Sequence, residues 1–170
     1  MKRIVALVAA VVSVTGFTMP GTAGATTLIA CAGPETTNYD PPLTLEPSPT
    51  SIQAQANYAL CLGGPTSATG KVEGQSPSAS CLTISRPQVE EIVEFNTKQT
   101  DVIQYTTAST TRAGGFNIVT LTGTVTNGPH QGQTAVKTVQ LTPIPEPAAC
   151  VGDGLNLASG ITQLEILGLS

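Results

Sequence analysis

The chain has no tryptophan, a single histidine and only 11% charged residues among 170. Each shortage removes a class of function. Outside the first 25 residues the aromatic rings are Tyr39, Tyr58, Phe95, Tyr105 and Phe116. So few rings give no stacking platforms for sugars and no sandwich for a cofactor, and the core has to be aliphatic. A serine-histidine hydrolase would rest wholly on His130, which sits among Gly128, Pro129 and Gly132 with no nucleophile elbow nearby. That histidine reads as a turn residue. One histidine with four cysteines committed to disulfides leaves no zinc ligand set, so neither metal nor cofactor is expected. Helical periodicity is lacking throughout. The one long apolar run, Ile4 to Val14, is about half the roughly 20 residues needed to cross a bilayer, and Pro20 and Gly21 follow it.

That run sits behind Met1-Lys2-Arg3 and ahead of Ala23-Gly24-Ala25, the basic start, apolar middle and small-residue exit of a secretory signal. Residues 1–25 are therefore expected to be removed, leaving residues 26–170 as one secreted domain without a transmembrane segment. A rival reading takes Leu28-Ile29-Ala30-Cys31 as a lipobox with Cys31 acylated, but the polar stretch from Gly21 to Thr27 separates it from the apolar run, and an even cysteine count fits pairing better. Loss of Lys2 and Arg3 leaves five basic residues against eleven acids, a net charge of −6. Nucleic acid is a poor partner for that balance.

What is present is strand patterning. From Gly115 to Pro143, Val119, Leu121, Gly123 and Val125 alternate with Thr120, Thr122, Thr124 and Thr126; after the turn residues Asn127, Gly128, Pro129 and Gly132, the odd row resumes at Ala135, Val139 and Leu141. This is a long hairpin with one buried face. Ile52, Ala54, Ala56, Tyr58 and Leu60 make a second clear strand. Pro41 and Pro42 place the preceding strand at an edge or bend it. Leu62 to Ser80 reads as loop, with at most a weak row at Ala68, Gly70, Val72 and Gly74. Cys81 to Ile84 reads as a short strand, and the pairs Val93 with Phe95 and Ile103 with Tyr105 as two arms around a turn at Asn96 to Asp101. Arg112 to Gly115 is a turn, Pro143, Pro145 and Pro147 impose an extended crossing to Cys150, and Ile161 to Leu167 closes the chain after a loop. The pattern predicts an all-β fold, an immunoglobulin-like or related antiparallel sandwich of about eight strands.

Cys31 and Cys61 lie symmetrically about position 46, inside the Glu46-Pro47-Ser48-Pro49 turn. A hairpin there brings them together, so Cys31 pairs with Cys61 and Cys81 with Cys150. Of the remaining candidates, Glu90 and Glu94 share one side of a strand and Glu91 faces the other, read as a solvated acidic face. Asp40, Asp101 and Asp153 are scattered, and a calcium site would need folding to assemble them. The threonine row offers a flat surface but is also what strands prefer.

The run CAGPETTNYDPPLTLEPSPT, the spacing of the four cysteines and the TLTGTVTNGPHQGQTA hairpin together resemble a group of small secreted actinobacterial proteins of uncharacterised function. The resemblance implies an exported β-sandwich with two disulfides and brings no catalytic residues with it. Where that pattern favours a tight Asn-Gly turn, this chain has Asn96-Thr97-Lys98. The expected function is a secreted, non-enzymatic binding or cell-surface module for an unknown protein or surface ligand. The alternative is a protease inhibitor presenting Cys61-Leu62-Gly63-Gly64-Pro65 or the segment from Pro143 to Cys150 beside a disulfide.

Overall fold

The computed structural model describes residues 25–113, 116–142 and 148–169. The expected signal segment up to residue 24, the Gly114-Gly115 turn and the proline crossing from Pro143 to Pro147 lie outside the described residues. The strands are β1 (Ala25–Leu43), β2 (Ser48–Tyr58), β3 (Leu60–Leu62), β4 (Ala68–Ala79), β5 (Ile84–Ser85), β6 (Gln88–Phe95), β7 (Thr100–Ala113), β8 (Phe116–Asn127), β9 (Thr134–Leu141) and β10 (Leu155–Leu169). One short helix, α1 (Ala148–Val151), precedes the last strand.

The all-β antiparallel expectation holds, but the two-layer sandwich does not. The order runs β1, β2, β4, β6, β7, β8, β9, β10, each antiparallel to the next, and β10 returns to pair with β1 from Ala25↔Leu169 to Asn38↔Leu157. A single sheet is thus closed into an eight-stranded barrel. Period-two alternation and strand spacing are the same for two packed sheets and for one sheet rolled on itself, because either way one face of every strand is dry. Only the pairing of the last strand with the first distinguishes them.

Other differences have local causes. The residues read as loop from Leu62 onward contain a regular strand, β4, held between β2 and β6. Its glycines and serines mimic loop composition, yet Gly70 is kept small by the interior side chains of Glu91 and Tyr58, and Gly74 by the β6 backbone at Gln88 and Val89. Cys81 to Ile84 is mostly a turn: the Ser80 amide donates to Thr83 O, and Ser80 Oγ accepts from the amides of Leu82 and Thr83. The loop expected before Ile161 is already strand from Leu155. β1 is no edge strand, since β10 flanks it on one side and β2 and β3 on the other. Pro41 and Pro42 fall in the lapse of the β10 ladder between Asn38 and Leu43, where no amide is demanded. The β6–β7 turn closes without glycine: Lys98 takes φ 68°, its amide donates to Phe95 O, and the Phe95 amide donates to Gln99 O.

Both disulfides form as the spacing predicts, and they accord with an extracellular protein. Cys31–Cys61 ties β1 to β3, at the end holding the β6–β7 and β8–β9 turns. Cys81–Cys150 ties the turn after β4 to α1 at the opposite end. Inward rows such as Val119, Leu121 and Val125 on β8, or Val89 and Val93 on β6, make the dry wall. Each such side chain stabilises the barrel by about 1.5–3 kcal/mol through burial.

Candidate functional site

Small inward residues leave space at the middle of the barrel. Ala54, Ala56, Ala68 and Ala135 are buried there. A Cβ on Gly70 would collide with Glu91 Oε1 and crowd the Tyr58 ring, so glycine is required for what fills that space. The filling is charged. Glu91 on β6 is 0% exposed; its Oε1 accepts from Tyr58 Oη at 2.8 Å and from Lys137 Nζ at 2.8 Å, and its Oε2 accepts from Tyr105 Oη at 2.7 Å. Lys137 on β9 is 1% exposed and lies over the Tyr58 ring. Its Nζ also lies 2.7 Å from Glu35 Oε2 on β1, a second buried ion pair. Glu35 Oε1 accepts only a long bond from Thr37 Oγ1, at 3.4 Å.

The cluster sets the ionisation of its members. Burial, reinforced by the Glu91 carboxylate, pushes the Tyr58 and Tyr105 phenols well above the usual tyrosine range, and burial with Glu35 does the same to Tyr39. For Lys137, burial opposes the charge, but Glu91, Tyr58 and Glu35 together outweigh it, so the ammonium is held above the usual lysine range. All four groups bind their proton more tightly folded than unfolded. Their contribution is therefore complete below the unfolded tyrosine and lysine values near 10 and is lost as pH rises beyond them. We expect tyrosinate absorbance to stay low past pH 10 and then to appear together with loss of circular dichroism, since the chain has only these three tyrosines. Gradual appearance in the folded protein would contradict their burial.

This cluster corrects the reading of Glu90, Glu91 and Glu94 as one solvated face. Glu90 and Glu94 do point outward and are exposed, while Glu91 is the anchor of the interior. Its opposite parity was legible. Lys137 went unnoticed although it stands on the same odd row as Ala135, Val139 and Leu141, which is the signal that could have found it.

His130 is not a free turn residue either. Its Nδ1 lies 2.6 Å from Asp101 Oδ2, and its main-chain amide donates to Asp101 Oδ1 at 3.2 Å. Asp101 is 0% exposed, and Gly128, at φ 112°, brings the β8–β9 turn so close that a Cβ would strike that carboxylate. Phe95 packs edge-on against the imidazole. The pair is a clasp between the β6–β7 and β8–β9 turns. Replacing His130 with alanine is therefore expected to cost about 1–3 kcal/mol by leaving a buried acceptor short of a partner, not to be silent. Thermal melts of His130→Ala and of Asp101→Asn check it; unchanged melting of both would show that the clasp is solvated. Asp40 and Asp153 are exposed and are not brought to Asp101.

Two kinds of space accompany these groups. Inside, beside Glu35, Thr37 and Tyr39, is a cavity of about 40 Å³, and a second of about 20 Å³ lies nearer the Cys81 turn. Each has room for water and no more. Outside, a concavity of about 600 Å³ crosses β1, β2, β4 and β6, floored by Gln55, Asn57, Thr69, Lys71, Ile92 and Glu94. A neighbouring one of about 470 Å³ shares Asn57, Thr69 and Glu94 and reaches the β6–β7 turn. No helix among the described residues is long and apolar enough to cross a membrane. The outward rows of β4 and β6 carry Lys71, Glu73, Glu90 and Glu94, charges that a lipid-facing barrel wall does not tolerate at mid-strand. No protein family, curated protein or solved structure matches the chain.

Proposed function

We propose that this protein is a secreted, non-enzymatic binding module that recognises a protein or cell-surface ligand on the outer wall of its barrel. The observation that carries the reading is the contrast between a filled interior, with cavities of only about 40 and about 20 Å³, and an external groove of about 600 Å³. A barrel that holds small ligands keeps its lumen open, and this one fills it with tyrosine, lysine and glutamate. Groove side chains such as Gln55, Asn57 and Thr69 offer donors and acceptors on rigid strands, where little conformational freedom is lost on binding. Export, signal removal at residue 25 and kinship with the secreted actinobacterial group belong to the same proposal.

The test is retention of purified protein on isolated cell walls and on immobilised supernatant proteins. Thr69→Arg in the groove should abolish retention, and Thr120→Arg on the opposite wall should leave it intact. Equal behaviour of the two variants, or turnover of the captured ligand, would overturn the reading.

A second reading has its own support. Leu62 is 63% exposed directly beside Cys61, whose main chain is fixed by the bridge to Cys31 and by its amide donating to Thr66 O at 2.9 Å. Gly63 and Gly64 follow with φ of 100° and 136°. An exposed apolar side chain on a disulfide-held segment is what a protease inhibitor presents. A panel of extracellular proteases, assayed with wild type and Leu62→Asp, separates this from groove recognition.

A further inference from the structure

The two concavities of the outer wall, of about 600 and about 470 Å³, meet at Asn57, Thr69 and Glu94 and form one trough. It runs across the strands, not along them. Asn57 on β2, Thr69 on β4, Glu94 on β6 and Thr100 on β7 stand opposite one another in register, and all four are exposed. Beside that row lies a second, in which Gln55, Lys71 and Ile92 are likewise in register. Whatever occupies the trough therefore meets new side chains at each strand, about every 4.8 Å. From β1 through β2, β4 and β6 to β7 that makes four steps, about 19 Å. Resting on the reading of this groove as the binding face, we propose that its ligand is an uncharged linear polysaccharide of the cell surface, laid across the strands with about one sugar ring to each.

The first property that selects this class is spacing. An extended peptide presents side chains on one side at every second residue, roughly 6.6 Å, and falls out of step with a ladder of about 4.8 Å within two strands. A pyranose with its glycosidic oxygen spans close to one strand spacing and carries hydroxyls round its rim, so every rung finds a partner. The second property is the kind of group. Gln55 and Asn57 offer planar amides that donate and accept, Thr69 and Thr100 offer hydroxyls, and Glu94 accepts. Sugar hydroxyls, which also donate and accept, satisfy that mixture, whereas the apolar anchors of a protein partner find little besides Pro34 and Ile92. The third property is charge. Lys71 is already held 2.7 Å from Glu73, and Lys98 stands at the far margin in the β6–β7 turn. That leaves the Glu94 carboxylate at the centre, on a chain of net charge −6 after loss of residues 1–25, and an anionic polymer is repelled there.

The shortage of rings shapes this binding without forbidding it. Tyr39, Tyr58, Phe95 and Tyr105 are buried, and Phe116 lies on β8 away from the trough, so no ring stacks on a sugar face. Each contact is a hydrogen bond exchanged with water, modest by itself. Several rungs must be filled at once, and the trough takes a polymer while ignoring its monosaccharide. Because the rungs stand on rigid strands, little freedom is lost in filling them.

The test uses isolated cell walls stripped of protein by hot detergent and protease, with competitors cut from the same walls by partial acid hydrolysis and sorted by charge and length. The secreted chain should be retained on the stripped walls. Uncharged fragments of about five rings, one for each strand crossed, should release it, and single rings at the same sugar concentration should not. Raised salt should leave retention unchanged. Glu94→Ala and Asn57→Ala change exposed side chains, so their melting should match the wild type while each weakens retention about tenfold. Thr120→Arg should have no effect. Retention that disappears on stripping, while Thr69→Arg still abolishes it on untreated walls or supernatant proteins, makes the ligand a protein; it overturns the polysaccharide and leaves the groove reading standing. Release by anionic fragments, by salt, or equally by single rings overturns the polysaccharide as well. Equal behaviour of Thr69→Arg and Thr120→Arg removes the groove reading and this inference with it.

Discussion

Lys137→Met is expected to lower the unfolding free energy by about 3–5 kcal/mol, the loss that follows when one partner of a buried charge cluster is removed. Methionine matches the lysine stem in length, so packing against Leu121 and Leu164, the residues in register on either side, is largely kept. What goes is the only cation among the described residues that pairs with Glu35 and Glu91, which are 5% and 0% exposed. Two carboxylates are then left buried together with no cation to offset their repulsion. Denaturant unfolding measures the loss. Adding Glu35→Gln and Glu91→Gln to Lys137→Met should recover a large part of it, because uncharged polar groups in that space cost far less than unpaired charges. A loss under about 1 kcal/mol for the single variant would mean that the cluster is wet and the interior reading wrong.

Removing the Cys81–Cys150 bridge as Cys81→Ser/Cys150→Ser is expected to cost about 4 kcal/mol in the chain-entropy model. The bridge closes 69 residues of sequence, nearly the whole stretch from the end of β4 to the start of β10. The Cys31–Cys61 bridge closes only 30 and joins positions already in register on β1 and β3, so its loss should cost less. The longer bridge also ties the turn after β4, whose Cys81 amide donates to Thr44 O in the β1–β2 turn, to α1. Chemical denaturation of both double-serine variants ranks them. Equal losses would show that loop length is not what sets the difference.

The two tests bear on different levels of the fold. The bridges act mainly on the unfolded chain, whose freedom they restrict. The Lys137 cluster acts on the folded state alone, because its members come from β1, β2, β6, β7 and β9 and meet nowhere else. Among positions discussed above, His130 and Asp101 belong with the cluster: their contact exists only when two turns are brought to one end of the barrel.

How much was legible follows from that division. The alternation from Val119 to Val125 and the turn at Asn127 to Gly132 follow from strand geometry, in which successive side chains leave on opposite faces, so the hairpin could be read directly. The cysteine pairing could be read because a single turn between Cys31 and Cys61 makes a symmetric hairpin, and the other pair follows by elimination. Closure could not be read, since the pairing of β1 with β10 joins residues more than a hundred positions apart and leaves no local periodic trace. Nor could the role of Glu91, whose parity said only that it faces inward, or of Lys137, which hid as one polar residue in an apolar row. The sequence by itself determined the clearly alternating strands, their faces and the bridges, because these depend on neighbours two residues away or on one turn, whereas glycine- and serine-rich β4 and the start of β10 were hidden by their loop-like composition. The tertiary structure alone decided that the sheet rolls shut and that its inward charges meet, because register between distant strands sets which inward side chains share the same dry space.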